Sequence, residues 1–426
     1  MYFVEVILPL SLAKTFTYRV SEAEFHFVKN GMRVVVPFGK SKMYTALIID
    51  KHQNEPSLYE AKEIDQILDE KPIVTEFQIA HWQWIASYYM CAIGDVYRGA
   101  MPGALLLESE TIISQKQSVV VDESLLLDEE FLIYQALQQQ SSLRIQDITA
   151  ILNKKNIFPV VQKLIDKNIL VLQEEVQELY KPKFVRYVRL HSKYDSNSGL
   201  SELLETLKSA AKQREIVLTY FQLNAAEKKP ISVKQLVESA NSTSSIVKAL
   251  IEKEILEEYF IQEDRVSFEG NAQEAALQLS VAQQQACDQI KERFIENEVC
   301  LLHGVTSCGK TEIYIKLIEE QLAIGKQVLY LLPEIALTTQ LVGRLRVYFG
   351  DKVGVYHSKY SNNERVELWK QVLEHSPKAQ IVIGARSALF LPFSNLSLVI
   401  VDEEHEQTFK QVDPAPRYHA RDAAIV

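Results

Sequence analysis

The chain is poor in the residues that mark several classes of protein. It has four cysteines in 426 residues, Cys91, Cys287, Cys300 and Cys308, and none forms a C-x-x-C pair. That argues against a disulfide framework and a sequence-local zinc site, and it fits a reducing, cytoplasmic setting. No apolar run reaches the length of a membrane span. The start, Met1-Tyr-Phe-Val-Glu5-Val-Ile-Leu-Pro9, lacks the basic region of a signal peptide. No membrane partner is therefore expected. Positive charge is also short: 46 Lys and Arg against 56 Asp and Glu leave a net charge of −10. A polybasic nucleic-acid binder is disfavoured, but a local positive groove is not. Glycine is scarce, with 14 residues, so a glycine-dependent motif rarely arises by chance. At 47% hydrophobic and 24% charged, the composition is that of a soluble globular chain. Its length accommodates roughly two to four domains.

One stretch stands out against this background. Gly304-Val305-Thr306-Ser307-Cys308-Gly309-Lys310-Thr311 matches G-x-x-x-x-G-K-[ST]. The apolar run Val299–Leu302 predicts a buried strand before it, and Ile313, Ile315, Leu317 and Ile318 predict a helix after it. In that context the glycines let backbone N–H groups turn toward phosphate oxygens at a helix N-terminus. Lys310 would reach the β- and γ-phosphates of ATP, and Thr311 would hold Mg²⁺.

The C-terminal block, 271–426, alternates apolar runs with helical patterns. Gln327–Leu332, Val353–His357, Ala379–Gly384 and Leu396–Asp402 read as strands buried on both faces, and Ser361–Glu374 reads as a helix. This predicts a doubly wound α/β domain. Its last run ends in Asp402-Glu403-Glu404-His405. Asp402 would orient Mg²⁺, and Glu403 would act as the base toward an attacking water.

Before this domain the chain changes character twice. Residues 1–105 open with four strand-like runs, Tyr2–Leu8, Phe16–Val20, Met32–Phe38 and Tyr44–Asp50, and continue into a helical stretch, Pro72–Met90. They predict a small β-rich module. In that helical stretch, Trp82, Trp84, Tyr88 and Tyr89 suit a core stripe better than base stacking. Residues 106–195 read as three helices, Glu129–Gln138, Arg144–Leu152 and Asn156–Lys167, then a strand pair, Leu170–Leu179 and Lys183–Leu190. That is the order of a winged helix. A similar pattern recurs in 196–270 as Gln213–Leu223, Ser232–Ser239 and Ser242–Lys253. The segments Val161–Leu170 and Val247–Leu256 align as a weak internal repeat. Lys154, Lys155, Lys163, Lys167, Lys248 and Lys253 could touch DNA. A spacer or protein-docking role fits this middle region equally well.

Taken together, these residues resemble the N-terminal part of the primosomal replication-restart DNA helicases, a superfamily 2 family. Leu279-Ser-Val-Ala-Gln283 looks like the family's adenine-side motif, with Gln283 reading adenine. Leu332–Thr338, His357-Ser358 with Arg365 and Trp369, and the Arg386-Ser387 loop resemble further family motifs. Phe409-Lys410 and Pro416-Arg417-Tyr418-His419-Ala-Arg421 look like its aromatic-rich loop. By that resemblance Arg386 and the loop face single-stranded DNA, and the loop couples DNA to ATP hydrolysis. Thr15-Phe16-Thr17-Tyr18, Val34–Gly39 and Gly94–Pro102 look like the family's 3′ DNA-end-binding domain. Phe16 and Lys62 then line its terminal-nucleotide pocket. Thr17 stands where the family often has an Asp that accepts the terminal 3′-OH. A neutral hydroxyl can accept the same bond less strongly.

The resemblance implies an ATP- and Mg²⁺-dependent 3′-to-5′ helicase of abandoned forks. Its partners would be forked and single-stranded DNA, single-stranded DNA-binding protein and the loaders of the replicative helicase. The second motor lobe, its arginine finger and the family's zinc-binding cysteines would follow Val426, so zinc is not expected in the residues given. A DNA-binding scaffold that uses ATP only as a conformational switch is the alternative.

Overall fold

A computed structural model describes residues 1–39, 42–57, 59–106, 109–116, 126–154, 157–167, 169–176, 183–194, 203, 205–227, 230–262, 277–305, 308–333, 339–357 and 360–426. Thr306, Ser307, Lys155, Ser358 and the stretch 334–338 lie outside them. The chain forms two units, residues 1–180 with 267–426, and residues 181–266.

The first unit opens with an antiparallel sheet. Its strands are β1 (Tyr2–Ile7), β2 (Phe16–Val20), β3 (Arg33–Phe38), β4 (Lys42–His52) and β5 (Gln66–Ile67), in the order β2-β1-β4-β3-β5. Both faces of the central strands are covered, which explains their nearly continuous apolar runs. Val4, Val6, Tyr18, Val34, Val36 and Ile48 fill one face. Ile7 and Leu47 point the other way, into a core shared with Trp82, Ile85, Val96 and Tyr97. Those four come from the helices Glu76–Tyr88 and Ile93–Ala100. Thr75 starts the first of these with a reciprocal capping box to Gln78. Gly94 lets the second approach the chain after β1, because a Cβ there would stand 1.9 Å from the Leu10 carbonyl oxygen.

A winged-helix subdomain follows in the same unit. Helices Asp128–Gln139, Ile145–Leu152 and Phe158–Asp166 pack on a sheet ordered β7-β6-β8, made of β6 (Ser109–Gln115), β7 (Leu143–Arg144) and β8 (Leu170–Val176). The sequence reading paired Leu170–Leu179 with Lys183–Leu190 as one hairpin, and the structure corrects this. β8 pairs with β6, a strand the sequence reading did not find. β9 (Phe184–Leu190) instead joins β10 (Ile231–Ser232) and β11 (Leu256–Gln262) in the second unit. Consecutive runs look like a hairpin in sequence, but Leu170 is buried in the cluster of the first winged helix and Val188 in that of the second. In the second unit that cluster is Ala211–Glu227, Val233–Ser239 and Ser244–Glu252. Ser232 caps the middle helix through the Gln235 N–H. The internal repeat is a repeat of core positions: Val161, Leu164, Ile169 and Leu170 are buried, and so are Val247, Leu250, Ile255 and Leu256.

Residues 277–426 carry a parallel sheet of β12 (Gln327–Leu331), β13 (Val353–Tyr356), β14 (Ile381–Gly384) and β15 (Leu396–Val401), ordered β13-β14-β12-β15. Each expected strand is present, and its helices include Lys310–Ala323 and Asn362–Leu373, the latter capped by Ser361 and Glu364. One expectation fails: Val299–Leu302 forms no strand, and Leu301 is 73% exposed. β15 is the last strand of its sheet among the described residues, so this run lacks a strand on its far side. Only Cys300 and Leu302 reach an apolar cluster, beside Leu398.

Candidate functional site

The glycine-containing loop closes onto the start of the helix Lys310–Ala323. Gly309 caps that helix with φ 91°, a left-handed conformation that favours glycine. A Cβ there would also lie 2.2 Å from Gln283 Nε2. Gln283 is held from both ends. Its Oε1 accepts from Ser280 N (2.8 Å), and its Nε2 donates to the Gly309 carbonyl (3.2 Å). The residue expected to read adenine therefore latches the phosphate loop in this state. Lys310 Nζ donates to the Gly304 carbonyl at 3.0 Å. Cys308 N donates to Val305 O at 3.4 Å, and Val305 itself is largely exposed. Thr311 follows Lys310 in the first turn, where helix N–H groups have no intrahelical acceptor.

The carboxylates arrive from the end of β15. Asp402 N donates to Leu331 O (3.1 Å), which ties the strand end to β12. Asp402 Oδ2 accepts from the Tyr330 hydroxyl at 2.9 Å, and Oδ1 accepts from Glu403 N at 3.1 Å. Burial, then the Asp402 charge and hydrogen bond, push the Tyr330 phenol up, so it stays a donor at neutral pH. Glu403 takes a left-handed φ of 51°. Its Oε1 lies 4.0 Å from Lys310 Nζ. Two motifs far apart in sequence thus face each other. Among the described residues no cluster of three His, Cys, Asp or Glu side chains could hold a metal alone. The donor set suits a hard ion that keeps water and nucleotide oxygens in its shell.

Tyr330 was not found from sequence. Its one signal is a hydroxyl-bearing ring inside an aliphatic strand. Glu404 was also missed: its Oε2 accepts from Arg421 Nη1 at 2.7 Å, and Arg421 also holds Asp422. The segment after Asp402 is thereby tied to the aromatic-rich loop. In that loop Phe409 and Tyr418 are buried, at 1% and 0% exposure. Neither ring is open to a base, so the expectation that Phe409 and Tyr418 face DNA directly is corrected. Tyr418 packs edge-on against Phe390 and donates to the Arg386 carbonyl at 3.0 Å. Arg386 in turn donates to Thr408 O at 3.1 Å. These groups brace the loop from below. Lys410 and Arg417 stay exposed on its outside, with Lys410 over the Tyr89 ring at 5.2 Å. His419 is partly buried, which pushes its imidazole below the usual range. Its backbone N–H donates to the Tyr89 hydroxyl at 3.1 Å.

The end-binding residues gather at the outer edge of β2. Arg19 N donates to Lys62 O (2.8 Å) and Ile64 N to Arg19 O (3.2 Å), so residues 62–64 run alongside that strand. Lys62 Nζ donates to Gly39 O at 2.9 Å. Phe16 packs edge-on to Phe38 at 5.0 Å. Thr17, the next residue, points to the opposite face and donates its hydroxyl proton to Glu5 Oε2 at 2.8 Å. The Lys163 and Lys167 pair separates: Lys163 is exposed, whereas Lys167 is held by the buried Glu130 at 2.6 Å.

Comparison with known proteins agrees with this arrangement domain by domain. Residues 5–102 match a 3′ DNA-binding domain, 110–175 a winged helix domain, 185–262 the winged helix domain of PriA helicase in Bacteroidota, and 280–422 a DEAD/DEAH box helicase. The replication restart protein PriA of Bacillus subtilis is 31% identical over 100% of this chain and 51% of its own length. Those of Synechocystis and Haemophilus influenzae are each 32% identical, over 93% and 100% of the chain and 47% of their own lengths. The chain spans about half the length of the curated relatives it matches. With a 3′ DNA-binding domain, two winged helices and a helicase domain in that order, it belongs to the replication restart protein PriA family, of which it corresponds to the N-terminal half.

Proposed function

We propose that the chain is the DNA-end-binding and nucleotide-binding half of an ATP-dependent 3′-to-5′ helicase that acts at abandoned replication forks and helps reload the replicative helicase. The observation that carries this reading is the approach of Lys310 to Glu403 within 4.0 Å, in a chain that also carries a 3′ DNA-binding domain. The site residues fit a nucleotide with Mg²⁺. Lys310 would leave the Gly304 carbonyl for the β- and γ-phosphates, Thr311 and Asp402 would hold the ion, and Glu403 would take a proton from water. The ion's part is to neutralise charge on the phosphate oxygens. Lys410 and Arg417 supply exposed cations for the DNA backbone, and Arg421 would join them only by leaving Glu404 and Asp422. Single-stranded DNA-binding protein and helicase loaders belong to the same proposal as protein partners.

This half would bind ATP but turn it over poorly. An arginine that reaches the transferred phosphoryl group is worth ~10³–10⁵ in rate. The arginines near this site have other partners: Arg344 holds Glu312, Arg386 holds Thr408 O and Arg421 holds Glu404. Calorimetry with ATP and Mg²⁺ should give one site that Lys310→Ala abolishes. A phosphate-release assay with forked DNA should show little stimulated turnover. Strong DNA-stimulated hydrolysis by these 426 residues would place catalysis on the wrong groups.

A further inference from the structure

The helix Lys310–Ala323 carries an acidic residue where phosphates are expected. Glu312 stands two residues after Lys310, in the first turn. In the empty loop a carboxylate there suits the positive end of the helix. A nucleotide would bring its phosphates to the same end. One oxygen of Glu312, Oε2, lies 3.3 Å from where a Cβ on Gly309 would stand, and it is buried without a hydrogen-bond partner among the described residues. The other, Oε1, accepts from Arg344 Nη2. Arg344 belongs to a different helix, Thr339–Phe349. That helix packs Val342, Leu345 and Phe349 into the cluster that holds Tyr314, Ile315 and Ile318 of the phosphate helix, and so brings Arg344 beside the first turn. Burial and the Asp402 charge push the Tyr330 phenol up, and the charge of Arg344 acts against them. Arg344 is thus felt at the Asp402 end of the site as well.

We propose that Arg344 is a positioning residue for the nucleotide, which cancels a carboxylate of the phosphate cradle by pairing with Glu312. This rests on the nucleotide-binding reading above and deepens it. Around the phosphate loop stand the carboxylates of Glu312, Asp402 and Glu403 and the cation of Lys310. In that reading Asp402 and Glu403 serve the ion and the attacking water. Glu312 has no such task, and its charge acts on the phosphates by repulsion alone. With Arg344 bound to it, the pair presents nearly no net charge to the ligand. Arg344 need not touch the nucleotide for this. The size of the effect follows the charge of the ligand, because the interaction is Coulombic. Glu312 is 22% exposed and Arg344 45%, so water weakens the effect without removing it.

The test is calorimetry of the whole chain with Mg²⁺–ATP and with Mg²⁺–ADP, at one salt concentration. Arg344→Ala should weaken Mg²⁺–ATP by about tenfold, the effect of one partly screened charge on a multiply charged ligand. Mg²⁺–ADP carries one negative charge fewer, so its affinity should fall by about threefold. Adding Glu312→Gln to Arg344→Ala should return both nucleotides to within about twofold of the native chain. Arg344→Lys keeps the charge and should keep most of the affinity. A merely structural Arg344 would weaken both nucleotides alike. An Arg344 that bound the phosphates directly would leave a loss that Glu312→Gln does not repair. Either result overturns the proposal, and so does unchanged affinity in Arg344→Ala. If Arg344→Ala does not fold, Glu312→Gln alone decides. It should tighten Mg²⁺–ATP by about threefold, and Mg²⁺–ADP by less; the absence of any gain refutes the proposal. A native chain that gives no heat dependent on Lys310 overturns the nucleotide-binding reading itself.

Discussion

Lys163 and Lys167 look equivalent in sequence, four residues apart on one helical stretch, yet they should respond oppositely to replacement by alanine. Glu130 is 1% exposed, and its Oε2 accepts from Lys167 Nζ at 2.6 Å and from Leu127 N at 3.0 Å. Burial alone would push the Glu130 carboxyl up. The Lys167 hydrogen bond, the Leu127 N–H and the charges of Lys167 and Lys163 outweigh it and hold the carboxyl below its usual range. Removing Lys167 leaves a buried carboxylate with too few partners. Such losses run ~3–5 kcal/mol when both ends are buried, and the 38% exposure of Lys167 brings this one to ~2–3 kcal/mol. Hydrogen exchange should therefore lose protection across 128–166 in Lys167→Ala, with Glu130→Gln restoring much of it. The sign with pH follows. A depressed carboxyl stabilises fully above the unfolded value of about 4.3, and the contribution disappears as pH falls through the lower folded value. Lys167→Ala should remove most of that acid dependence. Fork binding should distinguish the two lysines again. If Lys163 meets a phosphate, Lys163→Ala lowers the log–log salt slope by about 1, and Lys167→Ala leaves it alone. Unchanged protection in Lys167→Ala, or a slope lowered as by a phosphate ligand, would refute this account.

Two predictions concern the nucleotide loop. Gly309→Ala should weaken nucleotide binding in calorimetry while the far-ultraviolet circular dichroism stays native, because alanine is strained at φ 91° and its methyl also displaces the Gln283 amide from the loop. Tyr330→Phe removes the donor to Asp402 Oδ2 without changing the ring. It should weaken Mg²⁺-dependent ATP binding by about tenfold, one lost hydrogen bond to a charged group, and leave Mg²⁺-independent binding as it was.

How much of this was legible in sequence differs from element to element. The α/β lobe was readable because its strands are mostly apolar and its helices periodic, and two of those helices also carry capping boxes, Ser361 with Glu364 and Ser280 with Gln283. The phosphate loop and Asp402-Glu403 were readable because their chemistry fixes both residue type and order. Their facing geometry was not, since it depends on Glu403 adopting a left-handed backbone and on Tyr330 reaching over from β12. The burial of Phe409 and Tyr418 was hidden for a different reason. An aromatic in a polar loop can be a stacking ring or a post in the core, and local sequence does not say which. Pairings across distance were the least visible. β6 and β8 are separated by three helices, Glu130 meets Lys167 across two, and Glu5 meets Thr17 only because β1 and β2 set that register. Periodicity shows which face of an element is apolar, but not which element will cover it.

The DNA-end module and the motor lobe are neighbours in space although more than 250 residues separate β5, which ends at Ile67, from β12, which begins at Gln327. Their junction is a core. Ile7, Leu47, Trp82, Ile85 and Tyr97 from one share a buried cluster with Leu329, Val366, Trp369 and Phe390 from the other. Polar bonds fix the register: Trp369 Nε1 donates to Ile73 O at 2.8 Å, and Gln78 Nε2 donates to Phe390 O at 2.7 Å. A single cooperative unit follows, because neither face can be exposed without exposing the other. Trp369→Phe tests this. The ring stays apolar, but the indole donor is gone and the half-buried Ile73 O loses its partner, at a cost of ~1 kcal/mol. If the two parts open together, protection should fall by the same amount in β1 and β4 as in β12 and β14. The helices of 211–252, which belong to the other unit, should be unaffected. Loss confined to the lobe would mean that the end module is carried as a separate body. A DNA end held at β2 could then swing relative to the Lys310–Glu403 site. Equal loss in both parts would mean that capture of an end sets the distance from that end to the nucleotide site, with no hinge between them.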